Sequence, residues 1–324
     1  MKIEITAALI IGSLFSLSGG ETHFILPPNV RSVCNPLGIT YNPNISFPQI
    51  SPIPPDPCLG FRLDQWQLVN EIPSTGASLI RIAGPTEELN LSSNFELTIN
   101  MAEKGNLTPI VVFNPGFPRP DYYYHDKLTT LLSQHPEITI ELGNEPDNKT
   151  TGNVFWQGDM ASFVSFVDQS YVTIRSSHPD TEIIIAATTN PELNQREMLK
   201  ALANTRINFR DPNLFFGLHV YNSLENLIYR MNELKKVLNE YGLNQPHIAI
   251  TELGLQNKYR FLLPQMVATA YDLGAEIVLI HEYLDNEGWG FYNPSTGKKD
   301  YNLTALANSV RARQQSLSPF VKLN

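Results

Sequence analysis

Two short stretches place carboxylates where they could do chemistry. They are Ile140-Glu141-Leu142-Gly143-Asn144-Glu145-Pro146-Asp147 and Ile248-Ala249-Ile250-Thr251-Glu252-Leu253-Gly254. Each is a brief apolar run that reads as a buried strand and closes on a glutamate. Glu145 sits between an asparagine and a proline, a stiff setting for a residue type that is ordinarily solvated. Two carboxyl groups at the ends of separate strands suit the cleavage of an acetal. One protonates the departing oxygen, and the other attacks or stabilises the cationic carbon. The pair must then differ in environment, one protonated and the other ionised near neutral pH. Glu145 is expected to be the proton donor, with Asn144 beside it to bond a substrate hydroxyl. Glu252 is expected to be the nucleophile.

Other side chains point the same way. His219 and Tyr221 lie two apart in Gly217-Leu218-His219-Val220-Tyr221-Asn222 and share one face of a strand. That face should turn toward Glu252, so that the phenol donates to its carboxylate and keeps it ionised. Arg81 lies inside the apolar run Leu79-Ile80-Arg81-Ile82 and needs a buried partner, either Glu252 or Glu141. Trp156 and Trp289 fall in loops after expected strands and could stack on the apolar faces of sugar rings. Glu282, just past the last strand, is the rival carboxylate, but it lacks the Asn or Thr neighbour of the other two. The chain has no His-Glu-x-x-His pattern and no zinc-spaced Cys/His cluster, so neither metal nor cofactor is expected. It also lacks a Gly-x-Ser-x-Gly elbow and a Gly-x4-Gly-Lys-Ser/Thr loop.

Regular elements must position these groups. Apolar, β-branched runs occur at 78–82, 109–113, 138–142, 182–186, 214–220, 247–251 and 277–281, with one further strand expected near 36–41. Stretches with helical periodicity lie between them, notably 160–176, 224–241 and 261–271. Asp159 and Ser223 are suited to cap the first two. Eight strands alternating with helices predict parallel βαβ units. No Gly-rich phosphate turn follows the first strand, which argues against a dinucleotide fold. A closed (β/α)8 TIM barrel, an α/β single domain, fits the length. It also explains why chemistry-bearing residues sit at strand ends.

The bulk properties agree. The 324 residues are 42% hydrophobic, enough for a sizeable core, and carry a net charge of -9. A strongly anionic surface argues against nucleic acid and polyanionic partners. Residues 1–20 read as a signal peptide, with Lys2, an apolar core over 5–17 and small residues at Ser18-Gly19-Gly20. That core is too short to span a bilayer comfortably, so a secreted protein without a membrane anchor is expected. The barrel then occupies 21–324, with an irregular proline-rich segment over 42–57. In an oxidising compartment Cys34 and Cys58 are expected to bridge. Asn44, Asn90, Asn106, Asn148 and Asn302 begin Asn-x-Ser/Thr sites for glycosylation.

With these residues in hand, the chain from about Gly38 to Ala307 resembles the glycoside hydrolases of clan A, the retaining (β/α)8 glycosidases. Gly143-Asn144-Glu145-Pro146 is similar to the clan's acid/base motif and Thr251-Glu252-Leu253-Gly254 to its nucleophile strand. His219-Val220-Tyr221 resembles its sixth-strand His-x-Tyr, and Arg81 its second-strand arginine. Gly290-Phe291-Tyr292-Asn293 and Gly297-Lys298-Lys299-Asp300-Tyr301 are similar to its last-strand ending. Arg81-Ile82-Ala83-Gly84-Pro85-Thr86 also resembles the heparanase/β-glucuronidase family, though that family's β-sandwich is not expected here. The resemblance implies a carbohydrate substrate. A carbohydrate-binding barrel without turnover is the alternative.

Overall fold

The computed structural model describes residues 56–62, 77–83, 93–114, 121–148, 156, 159–189, 194–281, 292–293 and 298–299. Eight parallel strands close into a barrel in sequence order: β1 (Asp56–Arg62), β2 (Ala77–Ala83), β3 (Thr108–Phe113), β4 (Thr139–Leu142), β5 (Ile183–Ile185), β6 (Leu214–Tyr221), β7 (Ile248–Gly254) and β8 (Ala275–Ile280). Helices α1 (Ser93–Lys104), α2 (Asp121–Gln134), α3 (Met160–Ser177), α4 (Asn194–Leu202), α5 (Leu224–Glu240) and α6 (Leu263–Asp272) alternate with them. A short 3-10 helix, Asn257–Leu262, precedes α6. Tyr292–Asn293 and Lys298–Lys299 pair as a small antiparallel ribbon.

The first strand differs from expectation. It is Asp56–Arg62, paired with Leu59 to Phe61 against β8 and with β2 on its other side, rather than a segment near 36–41. Its Pro57 and Gly60 hide it from any apolar pattern. Pro57 falls where the β1–β2 register is interrupted, between Asp56 and Gly60, a place where a missing ladder N–H is tolerated. The signal segment, residues 36–41, the proline-rich stretch up to Pro55, Cys34, the Cys58 side chain, Glu282 and Trp289 lie outside the described residues.

The strands are apolar on both faces, as strands covered by helices outside and side chains inside must be. Leu79, Ile110, Ile184, Phe215, Ala249, Ile277 and Leu279 fill the barrel interior. Their sequence neighbours, such as Ile80, Val111, Ile185, Phe216 and Ile250, belong to the larger core shared with the helices. The two expected caps are present. Asp159 accepts from Ser162 N–H at 3.1 Å, and Ser223 from Asn226 N–H at 3.1 Å. Among the described residues, no helix is long and apolar enough to cross a membrane.

Gly217 marks a close approach of β6 to the backbone at the end of β5. A Cβ there would lie 2.6 Å from the Ile185 carbonyl oxygen and 2.9 Å from the Ala187 nitrogen. Both are backbone atoms and cannot swing aside. Gly217→Ala is therefore expected to destabilise the barrel by about 1–3 kcal/mol. Urea denaturation checks this, and an unchanged midpoint would refute it.

Candidate active site

The two glutamates reach the C-terminal mouth of the barrel by different local devices. At the end of β4 the chain turns sharply. Gly143 has φ +85°, and a Cβ there would strike the Phe163 ring of α3 at 2.4 Å. Glu145 itself has φ +40°, left-handed backbone that a non-glycine residue before proline rarely adopts. Such strain persists only where the surroundings over-determine it. Here Gly143 N–H donates to Phe113 O at 2.9 Å and Glu145 N–H to Ala187 O at 3.1 Å, so both neighbouring strands hold the turn. Asp147 anchors it further, accepting from Thr189 N–H at 2.9 Å and from Asn194 Nδ2 at 2.6 Å.

Glu252 depends on a register irregularity. Leu218 pairs with Ile250, but His219 pairs with Glu252, so Thr251 is an extra residue in β7. Ala249 faces the barrel interior, and strict alternation would next turn Thr251 inward and Glu252 outward. The irregularity reverses that. Glu252 joins inward-facing His219, while Leu253 joins Val220 in the outer core.

Arg81 joins the two sides of the mouth. Its Nε and Nη2 reach Glu141 at 2.5 and 3.0 Å, its Nη1 reaches Glu252 at 2.7 Å, and Nη2 also reaches Asn144 Oδ1 at 2.8 Å. Both expected partners are thus engaged at once. Arg81 and Glu141 are essentially inaccessible to solvent. Burial pulls the guanidinium pKa down, but the Glu141 and Glu252 charges outweigh it and hold the pKa above that of an ordinary arginine. At 2% exposure Arg81 is a clamp on Glu252 and Asn144 rather than a contact for substrate. Its hold on Asn144 Oδ1 turns the amide N–H2 end free to meet a hydroxyl.

Tyr221 donates to Glu252 Oε2, as its shared strand face with His219 predicts. His281, at the end of β8, approaches the same oxygen to 3.5 Å, and its ring meets Tyr221 edge-on. Sequence reading passed over His281. Its one signal is its place directly after the eighth strand. His219, 1% exposed, is too enclosed to touch a substrate. It sits between the two carboxylates, with Nδ1 2.9 Å from Glu145 Oε1 and 3.8 Å from Glu252 Oε2. Its Nε2 is buried with no hydrogen-bond partner. The tautomer with the proton on Nδ1 satisfies this pattern, because Nε2 is then a bare lone pair.

Glu145 accepts from His219 on one oxygen and from Asn148 Nδ2, at 3.0 Å, on the other. Burial raises its pKa. The donors His219 and Asn148 lower it by more, and the net position is below an ordinary glutamate. The unliganded site therefore favours the carboxylate form. A bound substrate would displace water from the mouth and push the value back up. One oxygen of Glu145 and one of Glu252 lie within 4.8 Å of each other, with a His219 nitrogen equally near. Donors already engage these carboxylates, and His219 Nδ1 carries the shared proton. That is the pattern of a proton-handling pair rather than a cation cage.

Trp156 requires a correction. It is 4% exposed, stacks on Phe166 at 5.1 Å and meets Phe163 edge-on at 5.4 Å, while Nε1 donates to Asn114. Its ring belongs to the core and offers no platform for a sugar.

No protein-family profile and no curated protein matches this chain. Solved structures do. A hyperthermophilic endo-β-1,4-glucanase shares 16% identity over 76% of this chain and 95% of its own, with a TM-score of 0.54. A β-xylosidase from Caulobacter crescentus CB15 shares 11% over 77% and 67%, with a TM-score of 0.62. The catalytic domain of a mannanase from Streptomyces sp. SirexAA-E shares 16% over 83% and 96%, with a TM-score of 0.53. At these identities the likeness is one of fold, the (β/α)8 barrel.

Proposed function

We infer that this chain is a secreted, retaining β-glycoside hydrolase acting on an oligo- or polysaccharide. The observation that carries the reading is the pair of carboxylates at the barrel mouth, with oxygens within 4.8 Å of each other and a separate set of donors on each. Retaining enzymes hold their carboxyl groups about 5–5.5 Å apart, whereas inverting enzymes leave room for a water. Three solved structures of like fold are a glucanase, a xylosidase and a mannanase, which supports a carbohydrate substrate. The apolar stretch 5–17 supports export.

The chemistry follows from the contacts. Glu252, fixed by Arg81 and Tyr221, attacks the anomeric carbon. Glu145 gives its proton to the departing oxygen, and a glycosyl ester forms on Glu252. Glu145, now a carboxylate steadied by His219 and Asn148, takes a proton from water, and the water opens the ester. Two displacements at one carbon return the starting configuration. The purified protein is expected to cleave members of a panel of chromogenic β-glycosides and plant polysaccharides. Proton NMR of the first product should show the β-anomer. An α-anomer would refute retention, and binding without turnover across the panel would refute the enzymatic reading.

A further inference from the structure

We propose that Asn148 is a positioning residue for Glu145, and that the glycosylation sequon it begins is a modification site incompatible with turnover. The proposal rests on the assignment of Glu145 as acid/base. Asn148 is the third residue after Glu145, and its backbone N–H donates to the Glu145 carbonyl at 3.0 Å. This closes a β-turn with Pro146 and Asp147 at its centre, and Asp147 is pinned from the β5 side by Thr189 and Asn194. The turn folds the Asn148 side chain back so that Nδ2 meets Glu145 Oε2 at 3.0 Å. His219 holds the opposite oxygen. The carboxyl plane is thereby set by one donor from β6 and one from its own turn.

The same atom has a second chemistry. Asn148-Lys149-Thr150 is an Asn-x-Thr acceptor, and glycosylation would join a sugar to Nδ2. That nitrogen already lies within hydrogen-bond distance of the acid/base oxygen. A sugar bonded to it would fill the space where the departing oxygen of a substrate must approach Glu145. Steady donation to Glu145 and an attached glycan therefore compete for one atom. Among the described residues, the charged and titratable groups facing Glu145 are His219 from β6, Glu252 from β7 and Arg230 from α5. Asn148 also meets Glu145 but carries no charge. Replacing it changes the field without removing a charge.

A donated N–H stabilises the carboxylate, so its loss raises the Glu145 pKa. A hydrogen bond to a charged group corresponds to about one pH unit. With glutamate 13C-labelled at Cδ, and the Glu145 signal identified by its loss in Glu145→Gln, NMR titration reads this without any need for turnover. Asn148→Ala should move the Glu145 midpoint up by about one unit, and Asn148→Asp, which adds a like charge, by more. Thr150→Ala, which removes the sequon and leaves Asn148 in place, should superimpose on the parent. In turnover, the descending alkaline limb of kcat/KM should move upward in the same order. A purely structural role would lower activity at every pH and leave the midpoint where it was. An unmoved midpoint in both Asn148 variants overturns the positioning role. If the midpoint moves while the parent cleaves no glycoside, the glycosidase reading is what has failed. For protein secreted by eukaryotic cells, peptide mass analysis of the active fraction should find Asn148 bare. A glycan on Asn148 in fully active protein overturns the incompatibility.

Discussion

Glu252→Gln is expected to reduce turnover to background on every substrate, because no glycosyl ester can form on an amide. Glu145→Gln should behave differently. With substrates whose leaving group needs a proton, the loss should be about 10²–10⁴-fold, the usual worth of general acid–base help. With activated aryl glycosides the first step should survive, and the second should limit the rate, since the same residue must activate water. Azide needs no deprotonation. It should rescue that second step in Glu145→Gln and yield a β-glycosyl azide. The motive is the geometry. Glu145 carries the His219 and Asn148 donors, whereas Glu252 is clamped by Arg81 and Tyr221 on both oxygens. Azide rescue of Glu252→Gln to a β-glycosyl azide would reverse the two roles, whereas an α-glycosyl azide there is the product expected of a missing nucleophile. Full activity in both variants would move the search to Glu282.

Arg81→Leu is expected to be the most destabilising single change in the mouth. It removes the cation from between two buried carboxylates, Glu141 and Glu252, and leaves both without their shared partner. Breaking one side of a buried ion pair costs about 3–5 kcal/mol. Arg81→Leu combined with Glu141→Leu should recover part of that loss, because the pair is then replaced by apolar groups of similar volume and only Glu252 is left short of its cation. The double variant should nevertheless stay inactive, since Glu252 and Asn144 lose the group that orients them. Chemical denaturation of the parent, the single and the double variant checks the ordering. A single variant as stable as the parent would remove Arg81 from its place at the centre of the site. A double variant no more stable than the single would show that Glu141 contributes nothing through Arg81.

The two sets of variants separate orientation from chemistry. Arg81 is only 2% exposed and bonds Glu141, Glu252 and Asn144. Its effect on rate should therefore track the placement of Glu252 and leave the azide behaviour of Glu145 variants intact. His281 belongs with Arg81 and Tyr221 in this respect, since it approaches the Glu252 oxygen that Tyr221 also bonds.

Much of this was legible in local sequence, because local periodicity and end chemistry are written residue by residue. The alternation of apolar strands with amphipathic helices, the caps Asp159 and Ser223, the common face of His219 and Tyr221, and the glutamates at the ends of β4 and β7 all depend on neighbours a few positions away. Other features depend on barrel closure. The first strand carries a proline and a glycine and is a strand because β8 and β2 flank it. Glu252 faces inward through a register shift that its own alternation would contradict. Arg81 had two plausible partners, and closure brings both to it, one of them 171 residues away. Trp156 looked like a loop aromatic until α3 supplied Phe163 and Phe166 to enclose it. Asn148 met Glu145 only because a strained backbone at Glu145, held from β3 and β5, folds the turn back on itself. Side chains distant in sequence converge only when every strand has taken its register, so their contacts are a property of the closed barrel and of no segment within it.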